Sequence, residues 1–175
     1  MRLAVVAVAA VLLAGDAPLP PGGGGAEARA AFARLKGLAG TWRGESSKGW
    51  VEDLHFRVIA GGSAVLETSF DAHPGEAMAT LFHLDGPRLM LTLYCVAGNQ
   101  PRLVATGFAE GGRVITFSYL DGTNLASRDA GHMDALVLRF VDDGHLSARW
   151  TWYQDGRERW LEEIALTRAR PAALP

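Results

Sequence analysis

A second cysteine is missing from this 175-residue chain: Cys95 stands alone, so no internal disulfide can form. The bland reading of that thiol is a small buried apolar residue. A basic excess is missing too. Seventeen Lys and Arg stand against nineteen Asp and Glu, a net charge of −2, which removes the electrostatic footprint a nucleic-acid partner would need. The apolar stretch at residues 3–14 falls short of the roughly 20 residues that a helix needs to span a bilayer. Five histidines show no ligand spacing, so no metal and no cofactor are implied. No internal repeat marks a second domain. What is present is a 49% hydrophobic fraction with five tryptophans, the composition of a folded chain with one well-filled core.

Residues 1–17 read as a signal peptide. Arg2 supplies the positive start and residues 3–14 the apolar centre. Cleavage after Gly15-Asp16-Ala17 meets Pro18, whereas Ala26-Glu27-Ala28 is a cleaner match further on, so the processed segment extends at most to residue 28. Leu13-Ala14-Gly15 has the form of a lipoprotein signal, but Asp16 occupies the place of the lipidated cysteine. The expectation is a secreted or periplasmic protein without stable membrane anchoring after cleavage. Residues 18–26, rich in Pro and Gly, read as a flexible linker.

Residues 27–38 carry Ala, Arg and Lys, with Phe32, Leu35 and Leu38 on one helical face. Gly40 ends that helix. Beyond it, turn pairs recur at short intervals: Gly61-Gly62, Pro74-Gly75, Asp85-Gly86, Gly111-Gly112, Asp121-Gly122, Asp143-Gly144 and Asp155-Gly156. Glycine accepts the positive φ of tight hairpins, so the rhythm predicts antiparallel strands joined in chain order. About ten are expected, at 41–46, 50–59, 63–72, 77–84, 88–96, 102–110, 113–120, 133–141, 145–153 and 158–168. Leu54, Phe56 and Val58 alternate with His55 and Arg57, and Leu146, Ala148, Trp150 and Trp152 with Ser147, Arg149, Thr151 and Tyr153. One dry face and one wet face predict an all-β fold: an up-and-down antiparallel barrel over residues 27–170, one end closed by the short helix.

In such a meander successive turns alternate between the two ends. The tight turns at 61–62, 85–86, 111–112 and 143–144 fall at the helix end. The longer, more polar connections gather at the other, which becomes the expected mouth. There stand Tyr94, Asn99, Gln100, Arg102, Asn124 and His132, offering a phenol, amides, a guanidinium and an imidazole. They are the candidate ligand-binding residues, with Arg102 suited to an anionic group. The competing reading makes them turn-shaping residues that satisfy loop carbonyls.

Leu38-Ala39-Gly40-Thr41-Trp42-Arg43-Gly44-Glu45, Gly62-Ser63 through Glu67, His83-Leu84-Asp85-Gly86, Tyr94-Cys95, Gly98-Asn99-Gln100-Pro101-Arg102, Asn124 and His132-Met133 carry a resemblance. It is to the calycin superfamily, and more specifically to a family of secreted bacterial proteins with a lipocalin-like barrel, distantly similar to nitrobindin-like haem-binding barrels. The resemblance implies that Trp42 packs at the barrel base under an arginine of the last strand, for which Arg168 is the candidate. Two departures bear on chemistry. Leu93 stands where the family often has histidine, and residues 158–168 contain no histidine where nitrobindin-like barrels carry their haem ligand.

The functional expectation is an exported carrier or sensor that binds a small molecule at the open mouth. No residue is assigned a catalytic role. Two alternatives are a small enzyme using His132 or Tyr94 as acid–base and Cys95 as nucleophile, and an envelope protein with a filled barrel that recognises another protein through its loops.

Overall fold

A computed structural model describes residues 24–73 and 75–169, with residues 160 and 161 described by their backbone alone. The expected signal peptide at 1–17 and residues 18–23 of the expected linker lie outside the described residues. Among the described residues no helix is long and apolar enough to cross a membrane.

The chain opens with helix α1 (Gly25–Lys36) and continues as ten strands: β1 (Gly40–Ser46), β2 (Val51–Ile59), β3 (Ala64–Ser69), β4 (Met78–Asp85), β5 (Arg88–Tyr94), β6 (Gln100–Ala109), β7 (Val114–Thr123), β8 (His132–Phe140), β9 (His145–Gln154) and β10 (Arg157–Arg168). Each strand pairs antiparallel with its chain neighbour, and β1 pairs with β10, from Trp42 opposite Arg168 to Ser46 opposite Ile164. The sheet is a closed up-and-down barrel with no free edge.

All ten expected strands are present, with shifted ends. The largest correction concerns Asp121-Gly122, expected as a turn. Both residues are strand: Asp121 pairs with Arg102 and Gly122 with Pro101, and a bulge between Arg102 and Leu103 absorbs the register change. Residues 70–72, expected as strand, have left the sheet, and Phe70 adopts a positive φ of 59° as the chain turns. Two base turns are near copies. Ala60, Gly61 and Gly62 have φ of 51°, 63° and 91°, and Glu110, Gly111 and Gly112 have 51°, 66° and 78°. Three consecutive left-handed residues are tolerated because two of the three lack a Cβ.

The core runs through the barrel interior. Trp42, Leu89, Leu91, Leu103, Ile115, Phe117, Leu136 and Leu166 are fully buried. Helix α1 closes the base with Ala28, Ala31, Phe32 and Leu35 turned inward, and its last turn leads to Leu38, whose carbonyl accepts a 2.7 Å hydrogen bond from the Trp42 indole. Alternation holds along the strands. Val58 departs from it, standing 40% exposed at the second-to-last residue of β2 while Leu54 and Phe56 are buried.

Arg168 joins the helix to the barrel. Its guanidinium carbon lies 4.3 Å from the centre of the Trp42 ring, Nη1 donates to the Ala39 carbonyl at 2.9 Å, Nη2 to Gly37 at 2.8 Å and Nε to Asp143 at 3.2 Å. One residue thus stacks on the base tryptophan and ties down three backbone carbonyls. Gly40, where the chain passes from the helix into β1, has a φ of 129°, a backbone conformation that favours glycine. Arg168→Ala is expected to lower unfolding free energy by about 2–3 kcal/mol in urea titrations, from a lost cation–π stack and stranded carbonyls. A loss below about 0.5 kcal/mol would mean the stack is a surface ornament.

Candidate functional site

The two ends of the barrel differ. At the base, α1 and the tight turns cover the core. At the other end the barrel opens into a cleft of about 670 Å³, bordered by Lys48, Trp50, Phe70, Glu76, Cys95, Val96, Ala97, Trp152 and Arg159. Below it lies a narrower cavity of about 70 Å³, bounded on the β2–β5 side by Leu54, Phe56, Glu67, Ser69, Thr80, Phe82 and Leu93, and on the β8–β10 side by Leu136, Leu138, Leu146, Ala148, Trp150, Ile164 and Leu166. Trp50, Phe70, Met78, Met133 and Glu162 border both spaces, and this shared wall is the neck. The interior therefore holds a small hollow that runs from the mouth end past Trp150 and Ala148 to Leu146 and Leu166 near the base.

The alternation of each strand decides what faces this interior. In β3 the inward residues are Val65, Glu67 and Ser69; in β10 they are Glu162, Ile164 and Leu166, all six buried. A period of two offers no exemption for a charged side chain, so two carboxyl groups are carried into an apolar barrel. Glu67 is hydrogen-bonded by the side chains of Thr80 and Ser69. Burial nonetheless dominates and raises its pKa from 4.5 to about 7, with Asp71 adding a smaller push in the same direction. Glu162 is only 6% exposed, and its Oε1 accepts hydrogen bonds from the Ser46 hydroxyl and, at 2.5 Å, from the Trp50 indole. Trp50 stands edge-on to Phe70, ring centres 4.9 Å apart. In β8 a bulge between Met133 and Ala135 brings Met133 to the neck and turns the neighbouring His132 away from the cavity.

The six residues expected to bind ligand share the mouth end, but none of their side chains borders the cavity or the cleft. Asn99 donates to the Gly131 carbonyl at 2.9 Å, and its Oδ1 is buried without a protein partner. Gln100 accepts from the Thr123 hydroxyl at 2.8 Å, and Asn124 donates to the Gly98 carbonyl at 2.5 Å. Arg102 is bidentate to Asp121, at 2.6 and 2.5 Å, on the outer wall, and Tyr94 is 54% exposed. His132 is fully buried. Its Nε2 meets Arg128 Nη1 at 2.6 Å and its Nδ1 meets the Ala130 carbonyl at 2.6 Å. Guanidinium only donates and carbonyl only accepts, a pattern that matches a proton on Nδ1; Asp134 Oδ1 also lies 3.4 Å from Nε2, so both ring nitrogens are occupied. Arg128 also stacks on Tyr153 at 3.8 Å and Tyr119 at 4.5 Å and pairs with Asp134 at 2.6 Å. These contacts make a clasp that ties residues 95–99 to residues 124–131, and the clasp leaves no free imidazole nitrogen for acid–base work.

Cys95 borders the cleft, and burial pushes its thiol pKa up, away from the thiolate a nucleophile requires. Among the described residues no three His, Cys, Asp or Glu side chains come together in a way that could hold a metal ion. The residues that matter to the interior and escaped sequence reading are Glu67, Glu162, Ser69, Thr80 and Trp50. A signal did exist: the phase set by Val65 and by Ile164 and Leu166 places both glutamates inward.

No family model matches the chain, and no curated protein matches it. Among solved structures, the crystal structure of Rv2717c from M. tuberculosis is similar, with a TM-score of 0.56 and 20% identity over 80% of this chain and 98% of that one. At that identity the likeness shows a shared fold and carries no chemistry across.

Glu67 makes stability depend on pH in a definite direction. Its folded pKa lies above its unfolded one, so the native state holds the proton more tightly and stability falls as pH rises from about 4.5 through about 7. Denaturant midpoints are expected to decline from about pH 5 to about pH 8, and Glu67→Gln to flatten the decline, gaining up to about 3 kcal/mol on the parent at the upper end. Identical slopes for parent and variant would show that Glu67 ionises without penalty.

Proposed function

We propose that the protein is an exported carrier or sensor that takes a small molecule through the open end of its barrel and seats it between the cleft and the inner cavity. One observation carries this reading: an inner hollow and an open cleft at the barrel mouth that share a neck of Trp50, Phe70, Met78, Met133 and Glu162. Ligand sites combine a mostly apolar wall with a few converging polar groups, and Glu67, Ser69, Thr80 and Glu162 supply such groups here. The volume of the cleft, about 670 Å³, suits a small organic molecule. The reading moves the ligand inward from the rim residues. Tyr94, Asn99, Gln100, Arg102, Asn124 and His132 then serve it indirectly, by holding the loops that frame the mouth.

Membership of the calycin superfamily is supported by the up-and-down order and by the stack of Arg168 on Trp42. Export is supported by Arg2 and the apolar stretch at residues 3–14. The enzyme alternative loses ground because both nitrogens of His132 are engaged. The filled-barrel alternative loses ground because the interior holds a hollow.

A thermal-shift screen of small metabolites, confirmed by native mass spectrometry, tests the proposal. A ligand present at about 100 times its Kd is expected to add about 2.7 kcal/mol of stability. Ala148→Phe, which fills the inner cavity, is expected to abolish the shifts while Arg102→Ala preserves them. Shifts that survive Ala148→Phe and vanish in Arg102→Ala would return the site to the rim.

A further inference from the structure

The charges that border the interior have one sign. Glu67 and Glu162 border the inner cavity, and no Lys, Arg or His does so among the described residues. The donors that meet them are neutral: the hydroxyls of Thr80 and Ser69 on Glu67, and the Ser46 hydroxyl and Trp50 indole on Glu162. Basic side chains appear only further out, where Lys48 and Arg159 border the cleft beside Glu76, and Arg159 is paired with Asp155. A carboxylate drawn into an apolar enclosure is costly unless an opposite charge meets it there.

Ring systems crowd the same neck. Trp50 and Phe70 border both spaces, Trp150 the inner cavity and Trp152 the cleft. The faces of such rings are electronegative and attract cations within about 6 Å, most strongly where water is excluded. Carboxylates and ring faces together oppose an anionic head group and favour a cationic one.

Size sharpens the choice. About 70 Å³ of inner space accepts an ammonium group with a carbon or two, and is too small for a ring system. The cleft, at about 670 Å³, accommodates the rest of a molecule. From this we infer that the barrel recognises an organic amine, its ammonium head passing the neck to lie beside Glu162 with Glu67 beyond it, and its apolar or aromatic body resting in the cleft against Trp50, Phe70 and Trp152. The inference rests on the carrier reading and adds the ligand class to it. It also explains why two acids persist on inward positions where leucine would pack without cost: a bound ammonium supplies their missing counter-charge.

Three probes with one body and different heads separate the possibilities. The unmodified protein is titrated near neutral pH with 2-phenylethylamine, 2-phenylethanol and 3-phenylpropionate, following tryptophan emission and calorimetric heat. The amine is expected to bind at least about tenfold more tightly than either counterpart, and Glu162→Gln to reduce amine affinity about tenfold while changing alcohol affinity less than about twofold. Glu67→Gln serves as the second variant should Glu162→Gln fail to fold, with the same expected pattern. Equal or tighter binding of the alcohol or the acid would overturn the amine assignment and leave the carrier reading standing. Failure of all three probes, together with a blank metabolite screen, would overturn both.

Discussion

Pairing of the first strand with the last is the constraint from which the rest of this molecule follows. A ten-strand meander left open would expose two rows of backbone donors and acceptors, and its inward side chains would face water at both edges. When Trp42 comes opposite Arg168 and Ser46 opposite Ile164, those rows satisfy one another and the inside becomes an inside. The same closure places Arg168 over the Trp42 ring and within reach of the carbonyls of Gly37 and Ala39. Sheet closure and helix docking are thus joined through one side chain. Along the same seam it also lets Ser46 of β1 reach Glu162 of β10, 116 residues apart in the chain.

Closure creates a conflict as well as a core. Every inward position is withdrawn from water, and two of those positions hold glutamates. Glu162 answers burial with donors from β1 and from Trp50; Glu67 answers it with neutral hydroxyls and with a proton held more tightly than usual. Neither arrangement is what an apolar core would select. Stability alone would favour leucine at both sites, since a well-packed apolar residue often equals or surpasses a buried charge. The two acids stand beside a hollow on one side of the interior, while Leu89, Leu91, Leu103 and Ile115 are packed without a gap on the other.

The mouth shows how residues with ligand-like chemistry can be engaged by their own loops. Asn99, Gln100, Arg102, Asn124 and His132 have the chemistry of ligand contacts and do converge on one rim. Loops at a barrel mouth carry unpaired carbonyls of their own, though, and the nearest donors meet them first: Asn99 finds Gly131, Asn124 finds Gly98, and His132 is taken by Ala130 and Arg128. Glu67 and Glu162 sit within strands, where glutamate normally signals the wet face. Their inward direction was legible in the phase of Val65 and of Ile164 and Leu166. Their joint position beside one cavity was not, because β3 and β10 come to face a common interior only after the sheet has closed, with β1 and β2 between them.

What the chain determined locally was the sequence of elements. Glycine-bearing turns with positive φ, and period-two runs between them, decide strand order, strand number and which residues face which way, because backbone sterics and side-chain alternation act over a few residues. Only the tertiary structure decided the bulges, the clasp at the rim, the neck, and the meeting of two carboxyl groups with five aromatic rings around a hollow. Those features depend on distances between strands far apart in the chain, and such distances acquire values only when β1 and β10 hydrogen-bond and the barrel shuts.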